Sequence, residues 1–231
     1  MRRGVADSLV SGNAGVAPDR DEKPVFRLNC VRNFLRLETR DFGDVAWALE
    51  DLFRDGVMIS VVVFVPGGAW RGAGRDGELL VRSLVWLVSG VVAGIVRDVT
   101  LAGPEGLGLA AIAEQSGCAV VEDDSEAGRL TKAVALSKQS RLLILEFAFQ
   151  PADSMIGELD SLARVMGPDE SAHLLATPAT AWQRLFPSLS RTVGLLASAS
   201  RCRALAGRDF RRLKAGLGAR LRFSTRANPI F

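Results

Sequence analysis

The sequence predicts an α/β fold of three layers, a mostly parallel central sheet with helices on both faces. Two observations predict it. From Met58 onward, short runs rich in Val, Ile and Leu alternate with helical stretches, the pattern of parallel strands joined by crossover helices. The strand runs are almost continuously apolar, as strands covered on both faces are. A chain of 231 residues, 48% hydrophobic and 24% charged, can bury such a core.

The first strand is Ile59 to Val65, ending at Pro66 and running into Gly67-Gly68. A strand that breaks into a glycine-rich loop opens many nucleotide-binding α/β domains. Glu78 to Val88 follows as a helix and Asp98 to Ala102 as a second strand, stopped by Gly103-Pro104. Leu107 to Gln115 forms a short helix closed by Ser116-Gly117, and Cys118 to Val121 a third strand. Ser125 caps a helix that runs to Ser140, and Arg141 to Phe149 is the fourth strand. Pro151, Asp153 and Ser154 introduce a helix to about Val165, ended by Gly167-Pro168. Leu79 to Val96 approaches the length of a membrane span, but Arg82, Gly90 and Gly94 favour a buried amphipathic helix.

Residues 1–57 precede this pattern as an N-terminal extension, and residues 58–231 form the domain. Met1 to Lys23 is rich in Gly, Ala, Ser, Asp and Arg without periodicity, a composition that favours disorder. Two readings stand for the extension: it folds with the domain, for example through a helix at Asp44 to Phe53, or the functional start is Met58.

With 29 basic and 26 acidic residues the chain is too balanced to argue for nucleic acid as a partner. The bases gather near the end, where Arg201 to Arg226 holds nine against the single acid Asp209. Such a segment is either a solvated face or a site of peripheral contact with an anionic membrane. Cys30, Cys118 and Cys202 lie far apart, and His173 is the one histidine, so no zinc or disulfide framework is expected and a reducing, cytoplasmic setting fits. Met1 to Arg20 has no continuous apolar region of the kind a secretory signal needs.

Three local features could carry chemistry. The loop from Pro66 to Gly77 holds five glycines with Arg71 and Arg75, so backbone amides and guanidinium groups could cradle a diphosphate, although it is no P-loop. Glu122-Asp123-Asp124 is the one dense acidic cluster, suited to a metal or to the N-terminal charge cap of the next helix. Ligands in open α/β sheets lie beyond the carboxyl ends of the strands, which places the site after Val65, Ala102, Val121 and Leu145.

The ordered set of segments resembles the family 2 glycosyltransferases, inverting enzymes of GT-A, Rossmann-like fold that use nucleotide-sugar donors. Ile59-Ser-Val-Val-Val-Phe-Val-Pro66 is similar to the family's S-V-I-I-P-x-x-N opening. Asp98-Val-Thr-Leu-Ala-Gly103, followed by Leu109-Ala-Ala-Ile-Ala-Glu-Gln-Ser-Gly-Cys118, resembles the V-D-G-G-S and A-x-x-A-G-C block. Arg141 to Pro151 occupies the place of the strand that ends in D-x-D, and Gly194 to Gly207 the segment leading to the acceptor-side acid. The likeness runs from about Met58 to Thr225.

The resemblance implies transfer of a sugar from a nucleotide-sugar donor, or binding of a nucleoside diphosphate, with Mn or Mg as cofactor. The departures matter as much. Where the family holds the nucleoside with an acid, this chain has Ala102, Gly103 and Pro104; where it has D-x-D, this chain has Glu146-Phe147-Ala148, so Glu146 alone could reach a metal. The counterpart of the catalytic base is Asp209, set among Arg208, Arg211 and Arg212. Pro66, Gly67, Gly68, Arg71, Arg75 and Gly103 would hold the donor, with Arg71 and Arg75 standing in for the metal's charge. The alternative is a non-catalytic relative that binds a nucleotide, glycan or protein and needs no cofactor. A nucleotidyltransferase of related fold is a further reading, since Pro66-Gly-Gly-Ala-Trp-Arg71 loosely meets that class's glycine-rich signature.

Overall fold

The computed structural model describes residues 57–66, 73–186, 190–218 and 221–230. The N-terminal extension up to residue 56 and the tip of the glycine-rich loop, with Gly67, Gly68 and Arg71, lie outside the described residues.

A seven-stranded sheet forms the centre. The strands are β1 (Ile59–Phe64), β2 (Val96–Gly103), β3 (Ala119–Glu122), β4 (Arg141–Glu146), β6 (Ser171–Leu175), β7 (Thr192–Ser198) and β8 (Leu221–Arg222), in spatial order β3-β2-β1-β4-β7-β6-β8. β1 is parallel to both β2 and β4, and β2 to β3, whereas β7 runs antiparallel between β4 and β6. The small strands β5 (Phe149–Pro151) and β9 (Ala227–Pro229) pair antiparallel as a separate sheet.

Helices cover both faces. Against one lie α1 (Ala73–Val92), α2 (Leu109–Ser116) and α4 (Met155–Val165), packed on Ile59, Val61, Val63 and Val65 of the first strand run. Against the other lie α3 (Glu126–Leu136), α6 (Ala199–Ala204) and α7 (Phe210–Leu217), packed on Val62 and Phe64. Consecutive residues of one strand thus enter opposite cores, which is why the run is apolar without alternation. The short helix α5 (Ala181–Leu185) buries none of its residues.

Several predicted boundaries shift. The first helix begins at Ala73 rather than Glu78 and continues to Val92, ending at Gly94, whose φ of 76° suits glycine. Among the described residues no helix is long and apolar enough to cross a membrane. Helix α2 closes where Ser116-Gly117 predicts, the Gly117 N–H donating to Ala113 O. Ser125 caps α3, its hydroxyl accepting the Gly128 N–H at 3.2 Å. The fourth strand stops at Glu146 rather than Phe149, because Ala148 takes a positive φ of 67° and turns the chain into the second sheet.

The basic C-terminal segment does not form one face. Arg201 donates to carbonyls of Asp169 and Leu217, and Arg203 to Ser137 O, at the end of the sheet where the parallel strands begin. Arg226 reaches Ala176 O and the Ser190 hydroxyl, both at 3.3 Å, at the opposite end. The last residues strap the domain: Glu158 accepts from the Ser224 hydroxyl at 2.8 Å and from the Thr225 N–H at 3.0 Å, and the Ile230 N–H bonds Ala148 O at 2.9 Å.

Candidate active site

The chain leaves β1 toward β2 and β3 on one side and returns to β4 on the other, so the strand order reverses between β1 and β4. Crevices at such reversals, beyond the carboxyl ends, are where open α/β sheets bind ligands. A cleft of about 220 Å³ lies there. Phe64 and Pro66 from the end of β1 form one wall, and Phe210 of α7 stacks on Phe64 with ring centroids 5.9 Å apart. Glu146 enters from the end of β4, and Arg191 and Thr192 from the start of β7, whose reversed direction brings its first residues to this end. Arg211 and Lys214 complete the cleft from α7, opposite Glu126 at the start of α3.

Glu146 is the buried acid of the site, 5% exposed. Burial raises its pKa above the ordinary carboxylate value, and the Arg191 guanidinium, ion-paired with it, pulls the other way without cancelling the shift. Arg191 itself leans over the Phe149 ring at 5.7 Å. Beneath Phe64 a second arginine is fully enclosed: Arg129 is 1% exposed, sits 5.3 Å from the Phe64 ring centroid and donates to Asp123 O and Asp124 O at 3.0 and 3.2 Å.

The residues singled out from sequence fall in different places. Glu146 and Pro66 line the cleft, and Gly103 ends β2 next to β1, where a Cβ would stand 2.4 Å from Leu109 Cδ1 and 3.3 Å from Val65 Cβ. That glycine is required by the close approach of α2 to the sheet. Arg75 is exposed in the first turn of α1 and is not among the residues lining the cleft. Asp209 caps α7: its Oδ1 accepts the Arg212 N–H at 2.7 Å and its Oδ2 lies 3.7 Å from Arg212 Nε. Its neighbours Phe210 and Arg211 line the cleft; the Asp209 carboxylate is spent on the helix start. Replacing Asp209 with Asn, an equally good cap, is expected to leave stability within about 0.5 kcal/mol, while Asp209→Ala costs about 1 kcal/mol by urea unfolding. A base that deprotonates an acceptor would instead be abolished by both changes.

Among the described residues, the donors at the cleft do not fit a divalent ion. Glu146 already holds Arg191, Ala148 supplies a methyl group where a second carboxylate is needed, and among the described residues no three of His, Cys, Asp and Glu stand close enough to share a metal. The cluster at Glu122-Asp123-Asp124 serves the helix: Asp123 accepts the Ser125 N–H at 2.8 Å and pairs with Lys132 at 2.7 Å, and these partners hold its pKa low. His173 is half-buried, and desolvation, helped by Lys214 and Arg222, lowers its pKa to about 4, so it is neutral at pH 7. Burial likewise pushes the Cys202 thiol up to about 12.

Sequence reasoning missed Arg191, whose partner lies 45 residues away, and Phe64 and Phe210 as a wall. The one available signal was an arginine two residues before the apolar run Val193 to Ala197.

No family model and no curated protein sequence matches the chain. Solved structures do match in fold. A 4-diphosphocytidyl-2C-methyl-D-erythritol synthase aligns over 71% of this chain and 87% of its own at 14% identity, with a TM-score of 0.50. Glucosyl-3-phosphoglycerate synthase from Mycobacterium tuberculosis, in complex with Mn2+, UDP and phosphoglyceric acid, aligns over 71% of this chain at 13% identity and a TM-score of 0.45. The chain spans 62% of that enzyme's length, less than two thirds. Mannose-1-phosphate geranyltransferase from Thermus thermophilus aligns over 74% of this chain and 73% of its own, at 12% identity and a TM-score of 0.44. The chain has a GT-A-like, Rossmann-related α/β fold, with the mostly parallel, helix-flanked sheet that the sequence predicts.

Proposed function

We propose that this chain is a glycosyltransferase-like protein that binds a nucleoside diphosphate, or the diphosphate of a nucleotide-sugar, without a metal ion. The observation that carries the reading is the convergence of Arg191, Arg211 and Lys214 on the cleft at the strand-order reversal, beside an apolar wall of Phe64, Pro66 and Phe210. Arg211 and Lys214 supply charge toward a diphosphate, as arginine and lysine do wherever phosphate is held by protein alone, while Arg191 is shared with Glu146, which lines the same cleft together with Glu126. Phe210, half-buried and backed by the enclosed Phe64 ring, offers the stacking surface for a base or a sugar face. In sugar transfer the same cations would stabilise the departing diphosphate.

A second reading, a binding module without catalysis, is favoured by Asp209 and Glu146. The first is engaged as a helix cap and the second as an ion-pair partner, so neither is positioned as an open base for an acceptor hydroxyl.

Calorimetric titration with UDP and GDP, each with and without manganese, tests both. The expected result is binding unchanged by manganese and weakened about tenfold or more by Arg211→Ala with Lys214→Ala, as befits loss of two charged phosphate contacts. Binding that appears only with manganese, or not at all, refutes the metal-free site. Release of free sugar or glycoside from UDP- and GDP-sugars then separates the transferase from the module.

A further inference from the structure

We infer that helix α5 is a docking wedge for an anionic lipid bilayer. Trp182, Leu185 and Phe186 are 68%, 70% and 52% exposed, and the rings of Trp182 and Phe186 stack at 6.2 Å with 13° between their planes. A helix of five residues is held in place by burying its apolar side, yet this one buries none. Polar contacts order it instead. The Thr180 hydroxyl accepts the Gln183 N–H at 3.3 Å, and Gln183 Oε1 accepts the Ala179 N–H at 2.8 Å. These local bonds cap the first turn of the helix and leave two stacked rings and a leucine exposed. Trp182, an apolar ring with one polar N–H edge, belongs to the class that settles at the headgroup boundary of a bilayer, while Phe186 and Leu185 add apolar area beside it.

Charge identifies the occupant. From Ser171 to the C-terminus the chain holds eleven Lys and Arg and one acid, Asp209, which is tied to Arg212. Arg201 and Arg203 face the far end, but Arg184 lies within α5, Arg191 lies ahead of β7 and Arg208, Arg211 and Lys214 lie around the start of α7. α5 connects the carboxyl end of β6 to the start of β7, so wedge and cations share the cleft's end of the sheet. An apolar wedge that carries Arg184 and shares its end of the sheet with Arg211 and Lys214 complements an anionic headgroup layer, and docking there turns the cleft toward lipid. The inference does not depend on nucleotide binding.

Co-sedimentation of the full chain with phosphatidylcholine vesicles, with and without phosphatidylglycerol, tests it. The protein should bind the anionic vesicles, less so at high salt, with a blue shift of tryptophan emission. Trp182→Ser with Phe186→Ser should lower the bound-to-free ratio about tenfold or more and remove the shift, with the thermal midpoint unchanged because both side chains are exposed. Arg184→Glu, which keeps the wedge, should weaken binding by a smaller factor. Failure of the parent protein to bind anionic vesicles, or undiminished binding by the double variant, overturns the inference. So does a dimer that the double variant dissociates without any vesicle binding, since the occupant would then be a second copy of this chain.

Discussion

Arg129→Ala is expected to destabilise the domain by about 3 kcal/mol, and to weaken the nucleotide binding proposed for the cleft with it. The side chain is among the largest of those fully buried, and it reaches past Phe64 to the carbonyls of Asp123 and Asp124. Truncation removes a guanidinium–ring contact of about 1 kcal/mol. It also strips donors from two carbonyls, of which any that water cannot reach costs about 1 kcal/mol or more, and it opens a cavity under the cleft's wall. One opposing effect moderates the sum: Arg129 Nε is itself buried without a partner, so some native cost is relieved. Arg129→Met separates the contributions, because it keeps much of the volume while losing the donors. Urea unfolding of the three proteins should rank parent, Met and Ala in falling order. Equal stability of Met and parent would mean that packing alone explains the buried arginine.

Much of the fold was legible because its determinants are local. Ile59 to Val65 and Leu142 to Leu145 are apolar on both faces, and the Ser125 cap and the Gly117 stop lie within one turn of the helices they bound. Local signals misled where packing overrode them. Gly74 and Gly77 read as loop, at about 1 kcal/mol each against helix, yet α1 extends through them because Leu79, Leu80, Leu84 and Leu87 are buried further along the same helix. The strands β6 and β7 escaped notice because an antiparallel insertion into a parallel sheet is a choice of distant partner that no window of sequence contains. The site divides in the same way. Glu146 could be found from its place at the end of the fourth strand, whereas Arg191 meets it only once β7 has paired beside β4. Arg211 and Lys214 were visible as charge but not as cleft, since their direction depends on α7 crossing toward Phe64.

The Glu146–Arg191 pair makes stability depend on pH in a direction that can be worked out. The folded state raises the Glu146 pKa above its unfolded value, with burial as the main cause. Between the two values the native protein holds a proton that the unfolded chain has released. The favourable contribution is therefore complete below the unfolded pKa and is lost as pH rises through the folded one. Arg191 limits that loss by stabilising the charged form. Without it a carboxylate only 6% exposed would face neutral pH unpaired. Arg191→Ala is therefore expected to cost about 2 kcal/mol at pH 8, below the range for a fully enclosed pair because Arg191 is largely solvent-exposed, and much less at pH 4. Comparing variant with parent at each pH cancels the other titrating groups. Glu146→Gln should be far milder at pH 8, since an uncharged amide needs no counter-ion, and adding it to Arg191→Ala should abolish the difference between pH 4 and pH 8. A cost of Arg191→Ala that is the same at both pH values would show that the arginine matters for its contact with Phe149 and not for the charge it places on Glu146.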